Sequence, residues 1–86
     1  MQKFTYIIES DISMHFGPAG RLAEIAQTYP DCTATLTMVT REANISRPMK
    51  VATMGIRKGD AVTVTVEGES EVEMIDVLHH YFADHL

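Results

Sequence analysis

Tryptophan is absent, and Cys32 is the one cysteine in 86 residues. A single thiol forms no internal disulfide, and the amino-terminal MQKFTYIIES lacks the apolar core of a secretory signal, so the expected compartment is the cytoplasm. Aromatic residues are scarce at 7%, which leaves the core to Val, Ile, Leu, Ala and Met; with 45% hydrophobic residues the composition is that of an ordinary globular domain. No apolar run approaches the roughly 20 residues that span a bilayer, so no membrane insertion is expected. Basic residues are few as well. Seven Lys and Arg, scattered among twelve Asp and Glu for a net charge of −5, offer no basic face for phosphate backbones and argue against nucleic-acid binding. The length accommodates one domain, residues 1–86.

In KFTYIIE the residues Phe4, Tyr6 and Ile8 fall on one side of an extended chain and Thr5 and Ile7 on the other, predicting a strand over Lys3 to Ile8. Apolar side chains then recur with helical spacing at Ala19, Leu22, Ala23, Ala26 and Tyr29. Pro18 suits a first helical turn, so a helix is expected from Gly17 to Tyr29, where Pro30 stops it. TATLTMVT, from Thr33, alternates as a second strand; a turn at Thr40-Arg41 and a short strand near Glu42 to Ser46 follow. Arg47-Pro48 opens a brief helical segment through Met54, with Gly55 suited to the left-handed residue beyond it. AVTVTVEG is the clearest strand. Ser70 and Glu73 have the spacing of a capping box before Val72, Ile75, Leu78, Phe82 and Leu86, which read as the stripe of a closing helix. The order β-α-β-β-α-β-α implies an α+β, two-layer open-faced sandwich: a four-stranded, mostly antiparallel sheet with its helices on one face.

One histidine stands out by its place. His15 immediately precedes the expected helix start, where unpaired backbone N–H groups and the helix dipole favour an anion. Gly17 has no side chain to obstruct a docking group, and a neutral imidazole is a nitrogen nucleophile able to accept a phosphoryl group. A solvated loop histidine is the plain alternative. His79, His80 and His85 lie near the end of the closing helix, where a positive imidazole suits the dipole. His80 and His85 are five apart, off a common face, and no carboxylate completes a ligand set, so neither a metal nor a cofactor is expected.

Met14-His15-Phe16-Gly17-Pro18-Ala19 resembles the active-site motif of the HPr family, the histidine-containing phosphocarriers of the bacterial sugar phosphotransferase system. MKVATMGIRKGDAVTVTVEGESE resembles the family's short helix, glycine turn and Val-rich strand ending in Glu-Gly, and the likeness covers essentially the whole chain. The resemblance implies that His15 accepts a phosphoryl group from enzyme I and passes it to a sugar-specific IIA component. Such a protein is a carrier with a transient phosphohistidine, not a free-standing enzyme, and a monomer is expected.

Two departures from the family pattern bear on that reading. Gly17 stands where the family has an arginine that pairs with the phosphoryl oxygens. Arg47 aligns with a regulatory serine; Ser46, one residue earlier, is either a shifted site or a strand-end hydroxyl. The resemblance makes Phe16, Gly17 and Arg47 the expected phosphate-binding positions, with Arg47 or Arg21 as a replacement cation. It makes Phe16, Arg21, Pro48 and Met49 the expected partner-docking positions, edged by Lys50, while Met49 and Met54 are each open to a core role. The alternative is an HPr-fold regulatory or protein-binding module that no longer transfers phosphate.

Overall fold

The two-residue alternation of AVTVTVEG buries Val62, Val64 and Val66 and turns Thr63 and Thr65 outward, which sets the centre of a sheet. In the computed structural model, which describes residues 1–9 and 16–86, the elements are β1 (Gln2–Ile7), α1 (Phe16–Thr28), β2 (Cys32–Met38), β3 (Arg41–Asn44), α2 (Pro48–Ala52), β4 (Ala61–Gly68) and α3 (Glu71–His85). The strands pair antiparallel throughout, in the order β1-β4-β2-β3. Register aligns Phe4, Val64, Leu36 and Ala43 in one row across the helix-covered face. The next row, Thr5, Thr63, Thr37 and Glu42, lies on the open face, where the Thr5 and Thr63 hydroxyls stand 3.1 Å apart. This is the open-faced α+β sandwich that the order of elements implies.

All three helices cover the same face. Ala19 and Leu22 of α1, Val51 of α2, and Met74, Leu78 and Phe82 of α3 have no exposed surface. The Phe82 ring meets Phe4 and Tyr6 edge-on, with centroids 5.4 and 5.7 Å away, a geometry favoured by the ring quadrupoles. Burying a side chain of this kind stabilises the fold by about 1.5–3 kcal/mol.

Besides the ends of β3 and α2, each two residues short of the expectation, three details differ from it. The turn after β2 falls at Val39-Thr40, one residue early, because Met38 pairs with Arg41 and closes a two-residue hairpin. Val72 is 66% exposed and Met74 takes its place in the core, since the inward ridge of α3 runs through Met74, Leu78 and Phe82 at four-residue steps. The capping box does not form. Ser70 is the N-cap of α3 but makes no side-chain capping bond; its N–H, which Glu73 would accept in such a box, donates to Asp31 Oδ2 at 2.8 Å.

Candidate functional site

His15 lies outside the described residues, as does the side chain of Phe16. What flanks that stretch is tied to the core. On the upstream side Ile8 is buried, its N–H donates to the Asp60 carbonyl at 2.9 Å, and its carbonyl accepts the Gly59 N–H at 2.7 Å. The exposed Glu9 donates its N–H to the Leu86 carbonyl at 2.6 Å. On the downstream side Phe16 is the first residue of α1, which Ala19 and Leu22 anchor in the core. In sequence, His15 is therefore one peptide bond from a helix N-terminus.

That terminus suits an anion. A helix leaves its first N–H groups without partners inside the helix; in α1 these come from Phe16 and Gly17, since Pro18 has none. No acidic side chain occupies the first turn of α1 to offset the dipole. Gly17 is exposed, and among the described residues, its own helix backbone aside, a Cβ added there would meet no atom within 4 Å.

The second helix gathers several of the expected residues. Arg47, Pro48 and Met49 line one groove together with Ser46 and Lys50. Of the two methionines, Met49 is 63% exposed beside that groove and Met54 is buried. Arg47 is the exposed N-cap of α2 and makes no side-chain capping bond. Ser46 lies beyond the end of β3, and its hydroxyl and N–H both donate to Asn44 Oδ1, at 2.8 and 2.9 Å. Arg21 stands apart from this groove. It pairs with Glu24 at 2.9 Å, with both side chains more than 60% exposed, a pair that contributes little to stability. The two helices nonetheless pack against one another.

One contact at this surface has no counterpart in the sequence reading: Arg41 Nη1 donates to the Met54 carbonyl at 2.7 Å, bridging the start of β3 to the residue just past the C-cap of α2. Arg41 belongs to no motif and to no periodic stripe, so no sequence signal marks it.

The remaining candidates have local roles. His79 stacks on Phe4 and His85 on Tyr81, with centroids 4.7 and 4.8 Å apart. His80 Nδ1 lies 2.9 Å from the Asp76 carbonyl, and that hydrogen bond, followed by the Asp76 charge, raises its pKa. Burial, more than its neighbours, pushes the Cys32 thiol up, which keeps it protonated and unlike a reactive thiolate. Among the described residues no three His, Cys, Asp or Glu side chains stand together as a metal site. Nor is any described helix long and apolar enough to cross a membrane.

Comparison with known proteins gives consistent matches. The family model described as PTS-HPr, "PTS HPr component phosphorylation site", matches residues 2–84. The phosphocarrier protein HPr of Mycoplasma genitalium is 28% identical over 75 residues, covering 87% of this chain and 85% of its own. That of Mycoplasma capricolum is 27% identical, over 98% of this chain and 93% of its own. Among solved structures, a Mycoplasma histidine-containing phosphocarrier protein superposes with a TM-score of 0.90 at 25% identity, over 96% and 93% of the two chains. An HPr from Thermoanaerobacter tengcongensis, at 21% identity, shares the fold with a TM-score of 0.88, over 98% and 93%.

Proposed function

The chain belongs to the HPr family of phosphocarriers, and from that premise we propose that His15 is the residue that carries the phosphoryl group. The ring nitrogen's lone pair attacks phosphorus, the N–P bond forms, and the bond between phosphorus and its donor breaks. The second transfer reverses this, with the acceptor's nucleophile displacing the histidine nitrogen. The attacking nitrogen must be unprotonated, since its lone pair makes the new bond.

The observation that carries the reading is the position of His15 directly before α1, whose first turn holds no acidic side chain. The N–H groups of Phe16 and Gly17 would hydrogen-bond the phosphoryl oxygens, and Arg47 would supply the cation that the family's arginine supplies elsewhere. Enzyme I is the donor in this reading and a IIA-type protein the acceptor, in the cytoplasm. Phe16, Arg21, Pro48 and Met49 would form the surface that both partners grip; the exposure of Met49 supports this, because an apolar side chain left in water commonly marks a contact surface.

Gly17 favours a second reading, a module that docks partners without transferring phosphate, because it removes the strongest expected partner of the phosphoryl group. Incubation with phosphoenolpyruvate and enzyme I separates the two. The carrier takes up an acid-labile phosphate that His15→Ala abolishes, whereas a docking module takes up none.

A further inference from the structure

We propose that Arg41 is a positioning residue for the docking surface, holding the C-terminal end of α2 so that Met49 and Lys50 are presented in one orientation. This rests on the reading of that surface given above.

The helix needs such a hold. With five residues it is too short to persist on its own, and its N-cap, Arg47, contributes no side-chain bond. Two buried side chains anchor it, Val51 within the helix and Met54 just past its C-cap. Apolar burial is non-directional, so these anchors resist lifting more than they resist sliding or turning. At the N-cap one backbone bond, from the Arg47 N–H to the Asn44 carbonyl at 3.0 Å, ties the helix to β3; the other directional contacts gather at the far end. Thr53 Oγ1 donates to the Lys50 carbonyl at 3.0 Å, and the Thr53 and Met54 N–H groups donate to the Met49 and Val51 carbonyls at 3.1 and 3.2 Å. These bonds lie within the segment and move with it. The Arg41 bond to the Met54 carbonyl, at 2.7 Å, instead reaches it from the sheet. It is a charge-assisted bond from a rigid donor fork. Directly after it the chain turns away at Gly55, with φ +75°, where an added Cβ would lie 3.5 Å from the same Nη1. Arg41 and Lys50 line a common hollow with Glu42, Thr53 and Met54, so what Arg41 fixes lies next to the groove of Met49.

Two measurements test this. On the free protein, amide hydrogen exchange at Val51, Thr53 and Met54 should quicken about fivefold in Arg41→Met, which keeps the apolar stem, and return most of the way in Arg41→Lys. In phosphoryl transfer from enzyme I, Arg41→Met should raise KM about fivefold with kcat little changed, and the rise should persist at high salt. Unchanged exchange in Arg41→Met overturns the proposal, as does acceleration spread equally over β4, which makes Arg41 a general stabiliser. A KM rise that salt abolishes also overturns it, by making Arg41 a direct charge contact. If the unaltered chain accepts no phosphate, the carrier reading fails while the exchange measurement still decides the role of Arg41.

Discussion

The N–H of Ser70 donates to the carboxylate of Asp31 across 39 residues of sequence, at 2.8 Å. The bond joins two corners of the fold, the one where α1 hands over to β2 and the one where β4 hands over to α3. Cys32 and Gly68, one and two residues away from the bonded pair, are partners in the sheet register, so backbone pairing and side-chain capping lock the same corner. Hydrogen bonding from Ser70 is the largest influence on the Asp31 carboxyl and holds its pKa below the ordinary value.

That shift makes this corner sensitive to acid. A carboxylate whose pKa is lower folded than unfolded stabilises the fold above its unfolded value, about 3.9, and loses that contribution as pH falls through the folded value. Asp31→Asn should therefore be less stable than the unaltered chain at neutral pH, and the two should converge in acid. Urea midpoints measured from neutral pH downward check this; a constant gap at every pH would place the carboxylate's effect outside its charge.

At the β2–β3 hairpin, Val39 sits at φ +57° and is 90% exposed. A β-branched side chain is strained there, and the tip buries nothing in return. Val39→Asn should stabilise the protein by about 1 kcal/mol, since Asn tolerates the left-handed region that such two-residue turns require. Chemical denaturation reads the change directly, and a loss of stability would show that the strain is relieved some other way.

The opposite holds at Gly68, with φ +144°. A Cβ there would collide with the Asp31 carbonyl oxygen and lie 2.7 Å from the Cys32 Cα, both backbone atoms with little room to yield. Gly68→Ala should cost about 2–4 kcal/mol from strain and overpacking combined. Thermal and urea unfolding measure it, and a near-neutral result would mean that the corner can shift.

The period-two and period-3.6 patterns made the sheet and helices legible, because Val62, Val64 and Val66, or Ala19, Leu22 and Ala23, repeat with the geometry of the element that buries them. Side-chain bonds to backbone have no such period. Asp31 with Ser70 and Arg41 with Met54 join residues that only the fold brings together, and Asp31 takes the N–H that Ser70 and Glu73 would have shared. The short α2 is a related case. Met49 and Met54 are equally apolar, and which of them is exposed depends on how a five-residue helix lies on the sheet. At the candidate site, the spacing of His15, Gly17 and Pro18 marked the helix start; that Arg21 pairs with Glu24 three residues on became evident only in the fold.

Gly17 offers the most direct test of the phosphate site. The second residue of α1 is exposed, and among the described residues, its own helix backbone aside, an added Cβ would meet no atom within 4 Å, so the described fold leaves room for a side chain to begin there. On stability the change is nearly balanced. Arginine is a better helix former than glycine by about 0.8 kcal/mol, while a cation in the first turn opposes the dipole by a similar amount. On transfer the balance is one-sided, because a guanidinium bonded to a phosphoryl oxygen contributes roughly 1.5–3 kcal/mol, or about tenfold to a hundredfold in rate if it is all expressed in the transition state. With no other cation at the phosphate, Gly17→Arg would therefore speed labelling of His15 by about tenfold or more, with the unfolding midpoint little changed. Arg47→Ala provides the control. If Arg47 already supplies the charge, that variant slows labelling, Gly17→Arg restores it in the double variant, and the single Gly17→Arg gains little, a non-additivity that a double-mutant cycle measures directly. Independent, additive effects would place Arg47 outside the phosphate site and leave the backbone N–H groups of α1 as its sole support.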